Sequence, residues 1–314
     1  MPRHFLRDDD LTPAEQREVL DLALRIKAEP LAWRPLEGPR AVALLLDKPT
    51  LRTQVSFAVG IAELGGYCLA VDGTLARIGQ RESVADTARV LARQVSAVVW
   101  RTYDQSRIDE MAAHVGVPVV NALTDQFHPC QVLADLQTVA EHCGGLAADG
   151  PALAGRSLAY LGDTGNNMAH SYLLGGATAG LDVRLAGPAG FRPRADVLER
   201  AQEIAGRTGA RVLVTQDPAE AVDGADAVAT DTWVSMGQEA EAAEREAPFV
   251  PYRLDAARLA QAGPDAVVLH CLPAYRGKEI TAEVLDGPAA VVWDEAENRR
   301  HAQKALLVWL LRQA

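Results

Sequence analysis

The chain has 314 residues, of which 48% are apolar and 5% aromatic, and its formal net charge is −11. This length exceeds one ordinary domain and favours two. Recognition of a nucleic-acid backbone depends on clustered lysines and arginines, so the acidic balance argues against a nucleic-acid partner. The longest apolar runs are much shorter than the roughly 20 residues that a membrane-spanning helix needs, so no membrane segment is expected.

The first residues lack the order of a secretory signal, which predicts a cytoplasmic protein. The four cysteines lie far apart and form no C-x-x-C pair: Cys68, Cys130, Cys143 and Cys271. Free thiols in a reducing compartment are therefore favoured over disulfides. No neighbouring His–Cys pair has the spacing of a known metal knuckle, and we predict no metal site.

The first half of the chain alternates β-branched runs with helical patterns. Buried strands are predicted at 41–46, 67–71, 97–101 and 117–122. Helices are predicted between and after them at 52–64, 83–95, 108–114 and 129–142. This alternation is a βαβ series and implies a parallel sheet.

A small-residue stretch at 144–151 breaks the pattern and is predicted as an inter-domain linker. The second half then repeats the alternation. Its strands are predicted at 158–161, 183–186, 212–215, 227–230 and 267–270. Its helices are predicted at 167–179, 193–208 and 219–222, and a long amphipathic helix at 294–312. The predicted fold class is α/β, with two open parallel-sheet domains joined by helices.

Six polar segments follow the predicted strands or open helices, where ligands bind in open parallel sheets. The first, 47–54, opens a helix with hydroxyls, Arg52 and free backbone N–H groups that suit a phosphate. Ordinary capping by Thr50 explains the same pattern equally well. The second, 128–135, places His128 and Gln131 on one side of a helix start, and a capping cluster is the alternative.

The third segment, 161–167, is a strand, a tight turn and a helix start. The register of its glycines departs from G-x-G-x-x-G and argues against a nicotinamide dinucleotide, whereas its paired asparagines suit a carboxylate or amide ligand. The fourth segment, 230–239, has Asp231 at the end of a strand. The charged loop that follows suits either a lid or an ordinary solvated loop.

The fifth segment, 269–273, delivers Cys271 to the end of an apolar strand, where a buried structural cysteine is the simpler interpretation. The sixth, 294–300, opens the last helix. Its acids favour the helix dipole and need no function, but Arg299 opposes the dipole and calls for another explanation.

Taken in order, the six segments resemble the ornithine carbamoyltransferase family along essentially the whole chain. The matching motifs are H-P-x-Q-x-L-x-D, G-D-x-x-N-N, D-x-x-x-S-M-G, H-C-L-P and E-N-R. The resemblance implies transfer of the carbamoyl group from carbamoyl phosphate to L-ornithine, giving L-citrulline and phosphate for arginine biosynthesis. It implies no metal or organic cofactor.

The resemblance also implies a carbamoyl-phosphate-binding domain, 1–143 completed by 294–314, and an ornithine-binding domain, 151–293. It implies a homotrimer in which the segment 75–83 of a neighbouring subunit completes each active site. The implied donor-binding residues are Thr50, Leu51, Arg52, Thr53, Arg77, Arg101, His128, Gln131, Cys271, Leu272 and Arg299. The implied ornithine-binding residues are Asn167, Asp231, Ser235 and Met236. The implied catalytic residues are Asp231, Cys271, Arg101 and His128.

The chain departs from the family at the segment Thr50 to Gln54, which we call the donor loop. The family usually has S-T-R-T-R here, so Leu51 lacks a hydroxyl and Gln54 lacks a positive charge. Each lost hydrogen bond to a charged group costs about 1.5–3 kcal/mol. Arg77 stands where relatives carry glutamine or histidine, and we expect it to restore the charge from a neighbouring subunit.

The sequence is also compatible with two other functions. One is a specialised paralogue that tolerates a phosphate-mimicking inhibitor or uses another donor or amine. The other is a non-catalytic ornithine binder.

Overall fold

The computed structural model describes residues 2–233 and 246–313. The chain forms two compact units. The first comprises Met1–Gln137 and Glu297–Ala314, and the second comprises Thr138–Ala296. No helix among the described residues is long and apolar enough to cross a membrane.

The first unit is built on a four-stranded parallel sheet in the order β2-β1-β3-β4. Its strands are β1 Ala41–Leu46, β2 Tyr67–Asp72, β3 Ala97–Arg101 and β4 Val119–Leu123. Its helices are α1 Pro13–Ala28, α2 Arg52–Glu63, α3 Gly73–Ala76, α4 Val84–Leu91, α5 Gln105–His114 and the start of α6 Pro129–His142. The strand that follows β1 in the chain, β2, lies on one side of β1, and the next strand, β3, lies on the other side. This reversal of strand order predicts a crevice at the carboxyl ends of β1 and β3.

The second unit contains a five-stranded parallel sheet in the order β7-β6-β5-β8-β9. Its strands are β5 Ser157–Leu161, β6 Asp182–Ala186, β7 Val212–Thr215, β8 Ala227–Thr230 and β9 Val267–His270. Its helices are α7 Asn167–Ser171, α8 Ala195–Thr208, α9 Pro218–Val222, α10 Ala256–Leu259, α11 Ala282–Leu285 and the start of α12 Val292–Arg312. The strand order reverses between β5 and β8, so the expected ligand position lies where these strands end.

The predicted α/β class with two open parallel sheets is confirmed, and each predicted strand is present. The helix predicted at 83–95 is shorter, Val84–Leu91. Another predicted helix differs in kind, because residues 167–179 include α7 followed by a π-helical turn, Tyr172–Gly176. A glycine is needed there, because a Cβ at Gly176 would overlap the side chain of Val183 on β6. The close approach of the helix to the sheet is a tertiary constraint that helical periodicity does not reveal.

The prediction of an amphipathic last helix is wrong. Each residue from 301 to 310 in α12 is buried, so this stretch has no solvated polar face. Its polar residues are accommodated by partners: Lys304 Nζ donates to Glu63 Oε2 at 2.7 Å and to the Pro30 carbonyl at 2.5 Å. Paired charges of this kind are the usual condition for burying a lysine.

The division between the two units differs from the predicted linker at 144–151 and the predicted boundary at 294. It falls inside α6, between Gln137 and Thr138, and inside α12, between Ala296 and Glu297. Residues 144–151 belong to the second unit. Both divisions lie within continuous helices, so the sequence has no loop of distinctive composition at these positions.

Candidate active-site residues in the two units

The donor loop lies at the expected position in the first unit, directly after β1, with α2 beginning at Arg52. The backbone N–H of Thr53 donates to Thr50 Oγ1 at 3.4 Å, so Thr50 has the capping contact that its sequence position suggested. The start of α2 carries the partial positive charge of a helix N-terminus, which favours an anion. Leu51, at 73% exposure, points its side chain into solvent.

Arg299 reaches the same place from α12. Its Nη2 donates to Thr53 Oγ1 at 3.1 Å, and its side chain is buried. The preceding residue, Asn298, accepts hydrogen bonds from Lys27 Nζ at 2.8 Å and from Gln137 Nε2 at 3.1 Å. These contacts fix this part of α12, so Arg299 is held against the donor loop although it opposes the helix dipole.

His128 lies at the start of α6 and is buried. Burial lowers the pKa of His128 well below its usual value, and the positive charges of Arg299, Arg101, Arg52 and Lys48 lower it further. The imidazole is therefore neutral at neutral pH, and it has one N–H to donate and one lone pair.

Gln131 lies in the first turn of the same helix and donates from Nε2 to Asp135 Oδ1 at 2.8 Å. The first unit thus gathers a neutral hydrogen-bonding group and several cations around one helix start. This is an arrangement suited to a phosphorylated ligand.

Arg77 lies on a separate segment after β2. It adopts a left-handed backbone with φ +48°, and it lines a cleft of about 380 Å³ together with Leu75, Gln80 and Arg81. Among the described residues, no hydrogen bond or ion pair joins its exposed side chain to the donor loop of the same chain. Its predicted role in donor binding stays a prediction.

In the second unit, Asp231 and Cys271 follow the adjacent strands β8 and β9. The Cys271 thiol donates to Asp231 Oδ1 at 3.2 Å, and the Thr232 N–H donates to the same oxygen at 2.7 Å. The other carboxylate oxygen, Oδ2, has no hydrogen-bond partner among the described residues. Asp231 is partly exposed, so this oxygen suits a cationic or amine ligand.

The backbone at Cys271 and Leu272 is held by His270. Leu272 is in the left-handed region with φ +58°, and its N–H donates to His270 Nδ1 at 2.9 Å. The ring proton is consequently on Nε2, which donates to Glu279 Oε1 at 3.1 Å. The His270 N–H donates to Glu295 Oε2 at 2.8 Å, which fixes the end of β9.

The ligand atoms of Asp231, His270 and Cys271 lie within 4.8 Å of one another, a grouping that resembles a metal site. Both ring nitrogens of His270 are already engaged, one as acceptor and the other as donor. The grouping therefore does not offer His270 as a ligand, and three protein ligands are the usual minimum for a bound zinc ion.

The two asparagines after β5 have different roles. Asn166 Oδ1 accepts from the Ala169 N–H at 2.9 Å, and its Nδ2 donates to the Tyr160 hydroxyl at 2.8 Å. Asn166 is thus a structural cap, and Asn167, which begins α7, is the asparagine predicted to bind ligand. Burial and the negative charge of Asp231 raise the pKa of Tyr160 well above its usual value.

Two of the predicted ornithine-binding residues, Ser235 and Met236, lie outside the described residues. No role was predicted for Tyr160, which lies beneath the turn after β5. A polar aromatic residue within an apolar strand was the only signal for it.

The fold and these two sets of residues define a two-domain α/β protein that has a helix start suited to an anion in one unit and a carboxylate–thiol pair in the other. The model for the carbamoyl-phosphate-binding domain of aspartate/ornithine carbamoyltransferases matches residues 3–141. The model for the Asp/Orn-binding domain matches residues 154–310. The chain belongs to the aspartate/ornithine carbamoyltransferase family.

Individual relatives agree with this placement. The chain is 60% identical over 314 residues to an ornithine carbamoyltransferase of Clavibacter sepedonicus, covering 100% of both chains. It is 59% identical over 311 residues to one from Rhodococcus opacus, covering 99% of this chain and 96% of the relative. The crystal structure of the Pyrococcus furiosus ornithine carbamoyltransferase is 40% identical, with a TM-score of 0.92 over 100% of this chain and 98% of that one.

Proposed function

We propose that the protein transfers the carbamoyl group of carbamoyl phosphate to the side-chain amine of L-ornithine, giving L-citrulline and phosphate in arginine biosynthesis. The observation that carries the proposal is the buried Arg299 held against Thr53 at the start of α2, in a family of carbamoyltransferases. Identity near 60% to ornithine carbamoyltransferases over the whole chain favours ornithine as acceptor. It also disfavours the specialised paralogue and the non-catalytic binder.

In this proposal the first unit holds the donor. The start of α2 binds the phosphate of the donor with Thr50, the Leu51 backbone, Arg52 and Thr53, and Arg101 and Arg299 neutralise the leaving group. His128 and Arg101 polarise the carbonyl oxygen. Gln131 accepts from the carbamoyl amide.

The second unit holds ornithine through Asn167, Asp231, Ser235 and Met236 in the same proposal. Ornithine's side-chain amine has a pKa of about 10.4 when free, so roughly one molecule in a thousand is neutral at pH 7. The Asp231 carboxylate attracts the ammonium form. Cys271 and the Leu272 carbonyl lie beside the nitrogen once a proton has left.

The chemical step follows from these positions. The neutral amine attacks the carbonyl carbon and forms a tetrahedral intermediate. The bond between that carbon and the phosphate oxygen then breaks, and the proton lost by the nitrogen leaves with phosphate. Orientation and fixed charge supply the catalysis, so the reaction needs no cofactor.

We further propose a cytoplasmic homotrimer with shared active sites. An apolar stripe on the first unit supports an interface between copies of the chain. It consists of the exposed side chains of Leu51 just before α2, Val55 and Val59 on α2, and Tyr67 and Leu69 on the edge strand β2. Contiguous exposed apolar surface of this kind usually marks an association site. The segment carrying Arg77 is the part that a neighbouring subunit supplies.

A citrulline assay over a wide range of carbamoyl phosphate tests the proposed function. We expect saturable citrulline formation from purified protein, carbamoyl phosphate and ornithine. Turnover only at very high donor, or only with another donor or amine, indicates the specialised paralogue. Ornithine binding without turnover under any of these conditions indicates the non-catalytic binder.

A further inference from the structure

Asp47 is a buried carboxylate that the proposed chemistry does not use. It is the first residue after β1, it lies just before the donor loop, and its exposure is 7%. Its Oδ2 accepts from Thr102 Oγ1 at 2.6 Å and from Trp100 Nε1 at 3.1 Å, and Arg107 Nη1 lies 3.3 Å away. The charge is therefore balanced inside the protein, as a buried carboxylate requires.

These contacts tie the donor loop to Arg101. Trp100 and Thr102 are the chain neighbours of Arg101, and both donate to the Asp47 carboxylate. In addition, the Asp47 N–H donates to the Arg101 carbonyl at 2.9 Å. Asp47 thus holds the backbone on both sides of Arg101 at a fixed place relative to the start of α2.

The same carboxylate is linked to the segment that carries Arg77. Arg107 pairs with Asp47 and donates from Nη2 to the Ile78 carbonyl at 2.6 Å. At the other end of the segment, Gly73 lies against Asp47 so closely that a Cβ would overlap Oδ1. Ile78 and Gly73 lie on either side of Arg77, so both ends of the segment are fixed with respect to Asp47.

We propose that Asp47 is a positioning residue for the phosphate site, which sets the donor loop and Arg101 in the arrangement that binds a phosphate dianion and also fixes the Arg77 segment that a neighbouring subunit's site receives. The inference rests on the proposed function for the identity of the donor. The direction in which phosphate affinity changes when Asp47 is neutralised distinguishes positioning from a simple charge effect. A negative charge near a phosphate site repels the ligand, so its removal strengthens phosphate binding if charge alone matters, whereas loss of positioning weakens it.

The test compares full-length wild type with Asp47→Asn. Titration calorimetry measures the dissociation constant of inorganic phosphate, and steady-state kinetics measure KM for each substrate. We expect Asp47→Asn to weaken phosphate binding about tenfold and to raise the donor KM similarly, with the ornithine KM unchanged. A folded Asp47→Asn that binds phosphate as tightly as wild type, or more tightly, overturns the inference.

A second variant, Thr102→Val, removes one donor to the Asp47 carboxylate without removing the carboxylate, and we expect the same direction of change in phosphate binding. It carries the test if Asp47→Asn does not fold, and unchanged phosphate binding in it then overturns the inference. Asp226→Asn is the matched control, because that carboxylate accepts from Ser157 N–H at 2.8 Å and Ser157 Oγ at 2.9 Å in the other unit. It should lower Tm and leave phosphate affinity at the wild-type value.

Failure of this inference and failure of the proposed function give different results. A wild-type protein that binds phosphate but makes no citrulline contradicts the function and leaves the comparison of phosphate affinities intact. A wild-type protein that makes citrulline, with Asp47→Asn equal to it in donor KM, contradicts the inference alone. A wild-type protein that binds no phosphate and makes no citrulline contradicts both.

Discussion

His128 acquires its chemical state from its surroundings, because burial and nearby cations both lower its pKa. In the unfolded chain its pKa returns to about 6.5, so below that pH the unfolded chain binds a proton that the folded chain does not. The neutral ring thus contributes stability that is fully present above about pH 6.5 and is lost as the pH falls towards the folded pKa.

We predict that the free energy of unfolding of wild type declines below pH 6.5 by up to about 1.4 kcal/mol per pH unit from this group. Denaturant titrations from pH 8 to 5.5 measure the decline, and His128→Asn should show a smaller one. A His128→Asn curve parallel to wild type contradicts a lowered pKa.

The thiol of Cys271 orients Asp231 through one hydrogen bond. We predict that Cys271→Ala lowers kcat/KM for ornithine by roughly one to two decades, since Asp231 loses a donor and the amine loses a neighbour. Cys271 is also an implied donor-binding residue, so the donor KM should rise as well, but by less. Initial rates with each substrate varied in turn give kcat/KM for ornithine and the donor KM separately. A rise confined to the donor KM contradicts the role of Cys271 beside Asp231 and the amine.

Several residues that shape the site were not predictable one by one. Asp47 and Asp231 both end an apolar strand, yet only Asp231 was assigned a role, because it matched a family motif. The partners of Asp47 are Trp100, Thr102 and Arg107, more than 50 positions away in the chain. Such a network arises from the register of β1 and β3, which a single sequence does not display.

At the scale of elements, the strands were predictable because buried parallel strands are short continuous apolar runs, as in Ala41–Leu46 and Val267–His270. Helix α1, Pro13–Ala28, was not predicted. The signal was present, since Thr12 and Glu15 form a capping box and Pro13 is the first residue of the helix. The burial of α12 depends on the residues that pack around it, and the helical periodicity of its own sequence does not indicate them.

The segment with Arg77 yields a prediction at this scale. Its side chain is exposed and carries a charge that the donor loop lacks at Gln54. We predict that Arg77→Gln raises the donor KM about tenfold or more, and that adding Gln54→Arg recovers much of the loss. Donor KM values of the two variants test this.

Arg81→Gln is the matched control, because Arg81 is exposed on the same segment and lines the same cleft. It should leave the donor KM near the wild-type value. If Arg77→Gln also leaves the donor KM unchanged, the compensation between Arg77 and Gln54 is wrong.

For the whole molecule, the apolar stripe on α2 and β2 predicts which surface copies of the chain share in the proposed trimer. Val55 is 51% exposed within the stripe, and Val90 is 56% exposed on α4. We predict that Val55→Lys reduces the mass measured by light scattering from three chains towards one, because a buried charge destabilises an interface. Val90→Lys should remain trimeric. A trimeric Val55→Lys contradicts this placement of the interface.

The first unit is assembled from both ends of the chain, Met1–Gln137 and Glu297–Ala314. On the ribosome, domains fold in the order in which they emerge. All of Thr138–Ala296 is therefore synthesised before the first unit has its last piece. Arg299, which contacts Thr53, arrives only with that piece. The anion site is thus completed only after the second unit has been synthesised, and a chain that ends before Arg299 lacks the cation that contacts Thr53.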